Sequence, residues 1–109
     1  MHEARAVSAA VEHALADVPA PEAVSTLRLE VHDPTRASAE AVRFYAAAIL
    51  RERGLESVEV HVETLAMTCE LCGAAALPTV TNPLCDACGA PMRRLPGPAV
   101  EGHAESELR

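Results

Sequence analysis

The four cysteines of this 109-residue chain fall in one stretch, Cys69 and Cys72 in Cys-Glu-Leu-Cys-Gly, then Cys85 and Cys88 in Cys-Asp-Ala-Cys-Gly. Their spacing is C-x2-C-x12-C-x2-C. Two residues between thiols let one tight turn offer both sulfurs to the same point, and two such turns supply the four ligands of a tetrahedral ion, for which zinc is the default. Gly73 and Gly89 follow the pairs, where a chain wrapping round a bound sulfur favours a positive φ that a side chain would resist. Two disulfides or unliganded thiols would use the same residues. Paired cysteines in a chain without an export signal favour metal in a reducing compartment. Four thiolates close the coordination shell and leave no position for substrate or water, so the site is structural and not that of an enzyme.

A second ligand set stands at the other end, in Met1-His2-Glu3. The α-amine, the backbone amide nitrogen of His2 and its imidazole can close adjacent chelate rings round one ion, and the amide of Glu3 can add a fourth nitrogen. Four nitrogens in a plane suit Ni(II) or Cu(II) better than zinc. The bulk of His2 is expected to hinder removal of Met1 and so to keep the amine in place. Taken alone, the triplet is more simply just the way a chain begins.

The elements that must position these residues are legible from periodicity. Val7, Ala10, Val11, Ala14, Leu15 and Val18 recur at three and four, which predicts an amphipathic helix from Glu3 to about Val18, stopped by Pro19 and Pro21, with His13 in solvent. Between Ala23 and Val31 the pattern alternates, Leu27, Leu29 and Val31 on one face and Thr26, Arg28 and Glu30 on the other, as in a half-buried strand. His32-Asp33-Pro34-Thr35 makes a turn; His32 beside Asp33 has the look of a dyad, but no nucleophile accompanies it. Ser38 is placed to cap a second helix running to about Arg53, with Glu40 in its first turn, Val42, Tyr45, Ala46, Ile49 and Leu50 facing inward, and Gly54 closing it. Ser57 to Leu65 alternates again, with His61 outward, and the strand-helix-strand order predicts a parallel pair. The cysteine loop, about Met67 onward, is too short and interrupted to form much regular structure, so a metal must hold it. After a linker through Arg93-Arg94-Leu95-Pro96, weak alternation from Ala99 to Leu108 predicts a third strand. The expected fold is α+β: two helices on a small three-stranded mixed sheet, with a four-cysteine zinc ribbon inserted before the last strand. The strand order is left open. Residues 1–66 and 95–109 would form one domain and 67–94 the ribbon.

Composition sets limits. Half of the residues are apolar, but Phe44 and Tyr45 are the only aromatics, so the core is thin and a metal crosslink a useful supplement. The formal charge of -7, made more negative by four thiolates round a dication, repels nucleic acid. No apolar run is long enough for a membrane span, and no signal peptide follows Met1; a cytoplasmic location is expected.

Met1-His2-Glu3, the two CxxC pairs and the helix start at Glu40-Ala41-Val42-Arg43-Phe44 together resemble the HypA/HybF family of nickel metallochaperones for nickel-iron hydrogenase maturation. The resemblance covers nearly the whole chain. It implies Ni2+ held at the N-terminus as transferred cargo, with His2 as the side-chain ligand and Glu3 contributing through its backbone and hydrogen bonding. It implies structural Zn2+ on Cys69, Cys72, Cys85 and Cys88, and Glu40 as a further nickel candidate. It also implies a HypB-type GTPase as partner and the hydrogenase large subunit as recipient, with urease as a second client class; homodimer formation is left open. Ala4-Arg5 stands where family members commonly have an apolar residue and serine, and Asp86 where the second cysteine pair usually has proline. A zinc-ribbon nucleic-acid or interaction module is disfavoured because no stacking aromatic lies near the loop, although Arg93 and Arg94 do. A rubredoxin-like iron carrier would use the same CxxCG turns but lacks its shielding aromatics.

Overall fold

Helix α1 (His2–Ala16) buries Val7, Ala10, Val11, Ala14 and Leu15, residues that recur every three or four positions and so share one face. The computed structural model in which it is seen describes residues 2–92 and 96–106, and of His2 the backbone alone. The expected Arg93-Arg94-Leu95 part of the linker and the extension of the last strand to Leu108 lie outside the described residues, as does Met1. Helix α1 stops before the two prolines, and a 3-10 turn over Pro21–Ala23 leads into strand β1 (Val24–Val31). Leu27, Leu29 and Val31 are buried as alternation requires, but so is Val24, which is off their period. A bulge explains it. Val24 pairs with Ser106 and Thr26 with Glu105, so Ser25 is the extra residue and Val24 is returned to the core side.

Helix α2 (Ala39–Glu52) starts on Ser38, whose Oγ accepts the Ala41 N–H at 3.2 Å, satisfying one of the donors a helix start leaves over. Val42, Ala46 and Leu50 are buried, with Tyr45 and Ile49 partly so. Gly54, at φ 73°, turns the chain back toward strand β2 (Glu59–Thr64), which begins two residues later than the alternation. Strand β2 is parallel to β1, with Leu27 beside Val60 and Leu29 beside Val62, and α2 is the crossover between them. After the cysteine stretch the chain returns as strand β5 (Val100–Ser106), antiparallel to β1 on its other side. The order is therefore β2-β1-β5.

Both helices pack on the Leu27-Leu29-Val31 face, where their apolar stripes and the strand residues form one cluster. Gly102 makes this close approach possible: a Cβ there would lie 2.9 Å from the Ala10 carbonyl oxygen and 2.9 Å from Leu29 Cδ2. Phe44 stays outside, 68% exposed, its ring edge-on to Tyr45. The turn between β1 and α2 is clamped by buried Asp33, whose Oδ2 accepts from Arg36 Nε at 2.9 Å while Arg36 Nη2 donates to the Gly97 carbonyl at 2.9 Å. The stretch before β5 is thus tied to the start of α2.

The cysteine stretch is more regular than its sequence led us to expect. It contains a two-stranded antiparallel ribbon, β3 (Met67–Thr68) with β4 (Ala75–Ala76), and a bridge between Leu84 and Pro91. Each cysteine turn folds its flanks back on themselves, so that Met67 and Thr68 pair with Ala76 and Ala75 and Leu84 with Pro91. Among the described residues no helix is long and apolar enough to cross a membrane.

Candidate metal centre

The two cysteine pairs sit on the same turn built twice. In the first, the Cys69 N–H donates to the Ala74 carbonyl at 2.9 Å and the Gly73 N–H to the Cys69 carbonyl at 2.8 Å; in the second, the Cys85 N–H donates to Ala90 and the Gly89 N–H to Cys85, both at 2.7 Å. Gly73 and Gly89 have φ of 77° and 80°, the left-handed conformation expected of them. The first cysteine of each pair, Cys69 and Cys85, is buried, and the second, Cys72 and Cys88, is exposed.

The sulfurs converge. Cys69 and Cys88 Sγ are 3.8 Å apart, Cys72 and Cys85 Sγ 3.7 Å, and all four lie within 4.8 Å of one another. A tetrahedron with zinc–sulfur bonds of about 2.3 Å has edges of about 3.8 Å. The cluster could therefore hold zinc, and its thiols are free rather than joined as disulfides. The amides of Cys72 and Leu71 point at Cys69 and, against its burial, draw its pKa down from 9.0 to about 7. Cys72 accepts from the Ala74 amide, yet local desolvation of its sulfur and the neighbouring thiols of Cys85, Cys88 and Cys69 outweigh that and push it up to about 11. The first thiolate forms readily and the next is resisted by the negative charge beside it; a dication at the centre would reverse that resistance.

At the other candidate centre the described backbone begins at His2, in the first turn of α1. The first N–H groups of a helix have no acceptor within it, so the amide nitrogens of His2 and Glu3 are not committed to the ladder. Met1 and the His2 side chain lie outside the described residues. Glu3 Oε2 accepts from the Ser38 N–H at 3.0 Å, which joins the start of α1 to the start of α2. Glu40 is exposed in the first turn of α2, two residues beyond Ser38. A groove of about 920 Å³ runs from Glu3 and His13 along α1 to His103 of β5 and Val80 of the ribbon.

His32 and Asp33 do not form a dyad. Asp33 turns inward to Arg36, while His32 Nε2 lies 3.3 Å from Glu30 Oε1 and 3.8 Å from Glu101 Oε1 on the outer face of the sheet. The sequence placed Glu30 outward and His32 in a turn, but nothing local in it brings Glu101 beside them. Nor did it single out Leu71, Leu77, Val80 and Leu84, which the ribbon leaves exposed; their placement within the first cysteine turn and between the two turns was the available signal.

Fold and site together define a small α+β protein carrying a four-thiolate metal ribbon between its second and last sheet strands. The family model for hydrogenase/urease nickel incorporation metallochaperones, HypA, matches residues 1–99, and the chain belongs to that family. No curated protein and no solved structure matches the chain.

Proposed function

We propose that the chain collects Ni(II) at its N-terminus, through the α-amine of Met1, the amide and imidazole of His2 and the amide of Glu3, and releases it to a nickel enzyme under assembly. The observation that carries this is the Glu3–Ser38 contact. It occupies the Glu3 carboxylate in holding the two helix starts together, leaves the Glu3 nitrogen for the metal, and puts Glu40 on the same end of the molecule as a carboxylate that could assist ion exchange.

Residues 1–66 and 95–109 act as the nickel-binding unit and 67–94 as the ribbon, with Cys69, Cys72, Cys85 and Cys88 holding zinc. The function is transfer, not catalysis. A terminal ligand set with little rigid support can be dismantled one bond at a time by a competing site. The recipient is the large subunit of a nickel-iron hydrogenase, with urease as the second client, and a HypB-type GTPase is the cytoplasmic partner.

The test is a Ni(II) titration of zinc-loaded protein with its native N-terminus, of His2→Ala, and of a form with a tag on the α-amine. The altered forms should bind at least about tenfold more weakly. Equal binding by all three would place the nickel site elsewhere. Affinity should also fall from about pH 7.5 to about 5.5, because the imidazole, with an ordinary pKa of roughly 6.5, must lose its proton to bind.

A further inference from the structure

The helices cover one face of the sheet and leave the other to solvent. On that open face the strand registers align side chains in rows across β2, β1 and β5: Glu59-Thr26-Glu105, then His61-Arg28-His103, then Glu63-Glu30-Glu101. The acids of the first row have basic partners in the second, since Arg28 Nε lies 2.8 Å from Glu105 Oε2 and His61 meets Glu59. The third row places three carboxylates abreast, an arrangement that cross-strand repulsion disfavours. Among the described residues no arginine pairs with it, and the chain contains no lysine. The basic group that reaches it is His32, the first residue past β1, with Nε2 3.3 Å from Glu30 and 3.8 Å from Glu101.

We propose that Glu30, His32 and Glu101 form a solvent-facing site for a first-row divalent transition-metal ion on the open face of the sheet. One ligand atom from each lies within 4.8 Å of the other two, and an imidazole with two carboxylates is a donor set that such ions take in preference to Mg(II) or Ca(II). The frame is rigid where it matters. Glu30 and Glu101 are directly paired across β1 and β5, and the backbone of His32 is fixed to the residue just before β5 by its N–H, which donates to the Ala99 carbonyl at 2.7 Å. The side chains are about a third to a half exposed, at 35%, 31% and 46%, so water completes the shell and the ion exchanges freely. Bound there, a dication cancels the repulsion along the third row. The site lies at the end of the sheet where the chain leaves β2 for the ribbon and returns to β5, and it involves no atom of the N-terminal triplet.

The experiment uses the full chain, zinc-loaded and carrying His2→Ala, at about pH 7.5, where protons compete least with the metal. Ni(II) is added while the histidine ring and backbone NMR signals are followed. Paramagnetic broadening should appear first at His32, Glu30 and Glu101, and His32→Gln, Glu30→Gln and Glu101→Gln should each weaken it about 10–100-fold, since loss of a ligand costs at least as much as loss of a group supporting one. All four proteins should keep the amide pattern of the core, and the same variants in a chain with native His2 should leave the N-terminal site unaltered. Broadening spread over His13, His61 and His103 alike, or unchanged by the three substitutions, would overturn the site whatever happens at the N-terminus.

Discussion

The helical layer and the cysteine ribbon are stabilised by different terms. In the first, Val7, Val11, Leu27, Leu29, Val42 and Leu50 interlock in a continuous apolar cluster that needs no ligand. In the second, the buried cluster is Cys69, Ala76 and Cys85, with Met92 against it, so two of its three members are candidate metal ligands. Leu71, Leu77, Val80 and Leu84 lie outside on the ribbon surface and contribute little burial. We propose that a segment this poor in buried area is held by coordination, as small zinc domains are. On that proposal one chain contains a part whose stability is hydrophobic and a part whose stability is set by metal and pH, and the two should respond to different perturbations.

Removing a ligand should separate them most. Cys85→Ser should release zinc and unfold residues 67–92 while the α/β amide signals persist; in small zinc peptides the ion supplies about 10–16 kcal/mol at pH 7. Metal analysis with amide NMR reads both, and a full equivalent of tightly held zinc would refute the four-thiolate site. Acid is the graded form of the same experiment. Zinc must displace thiol protons, and in the metal-free ribbon Cys72 keeps its proton to about 11 and Cys69 to about 7. Zinc affinity should therefore fall as pH falls, by about tenfold per displaced proton per pH unit, and most steeply below the Cys69 value, where that thiol also is protonated. Competition with a chelator across that range measures the slope; a flat profile would exclude thiolate ligation.

The converse perturbation lies in the core. Leu29→Ala should cost the α/β layer about 2–5 kcal/mol in thermal or denaturant unfolding with zinc retained, because it opens a cavity between α1 and the sheet. Gly102→Ala is a smaller change of opposite sign in volume: its methyl meets the Ala10 carbonyl and Leu29, and about 1–3 kcal/mol should be lost as α1 is displaced. If either variant lost zinc in parallel with its core, the two regions would be one cooperative unit and the contrast between them would fail.

Much of this was open to inspection in the chain itself. The CxxC pairs with their glycines specify two identical turns, because ligand spacing and positive φ are properties of a few consecutive residues. The stripes of α1 and α2, the Ser38 cap and the Leu27-Leu29-Val31 face follow from local backbone periods in the same way. The N-terminal triplet offers its candidate donors in order, amine, amide, imidazole, and the proposal built on it likewise comes from consecutive residues.

Pairing across the sheet carries no such local signature. That β1 is central, that a bulge at Ser25 recovers Val24 for the core, and that Gly102 is small because α1 passes over it are consequences of which strands meet and in what register. In sequence Gly102 was only a weak point in an alternating run, and Glu101 one more surface acid. The Glu3–Ser38 contact and the Glu30–His32–Glu101 cluster likewise join residues distant along the chain. Residue order determined the ligand types and the local turns that present them; tertiary structure decided which separated ligands share a surface, because long-range packing alone sets strand order and helix approach.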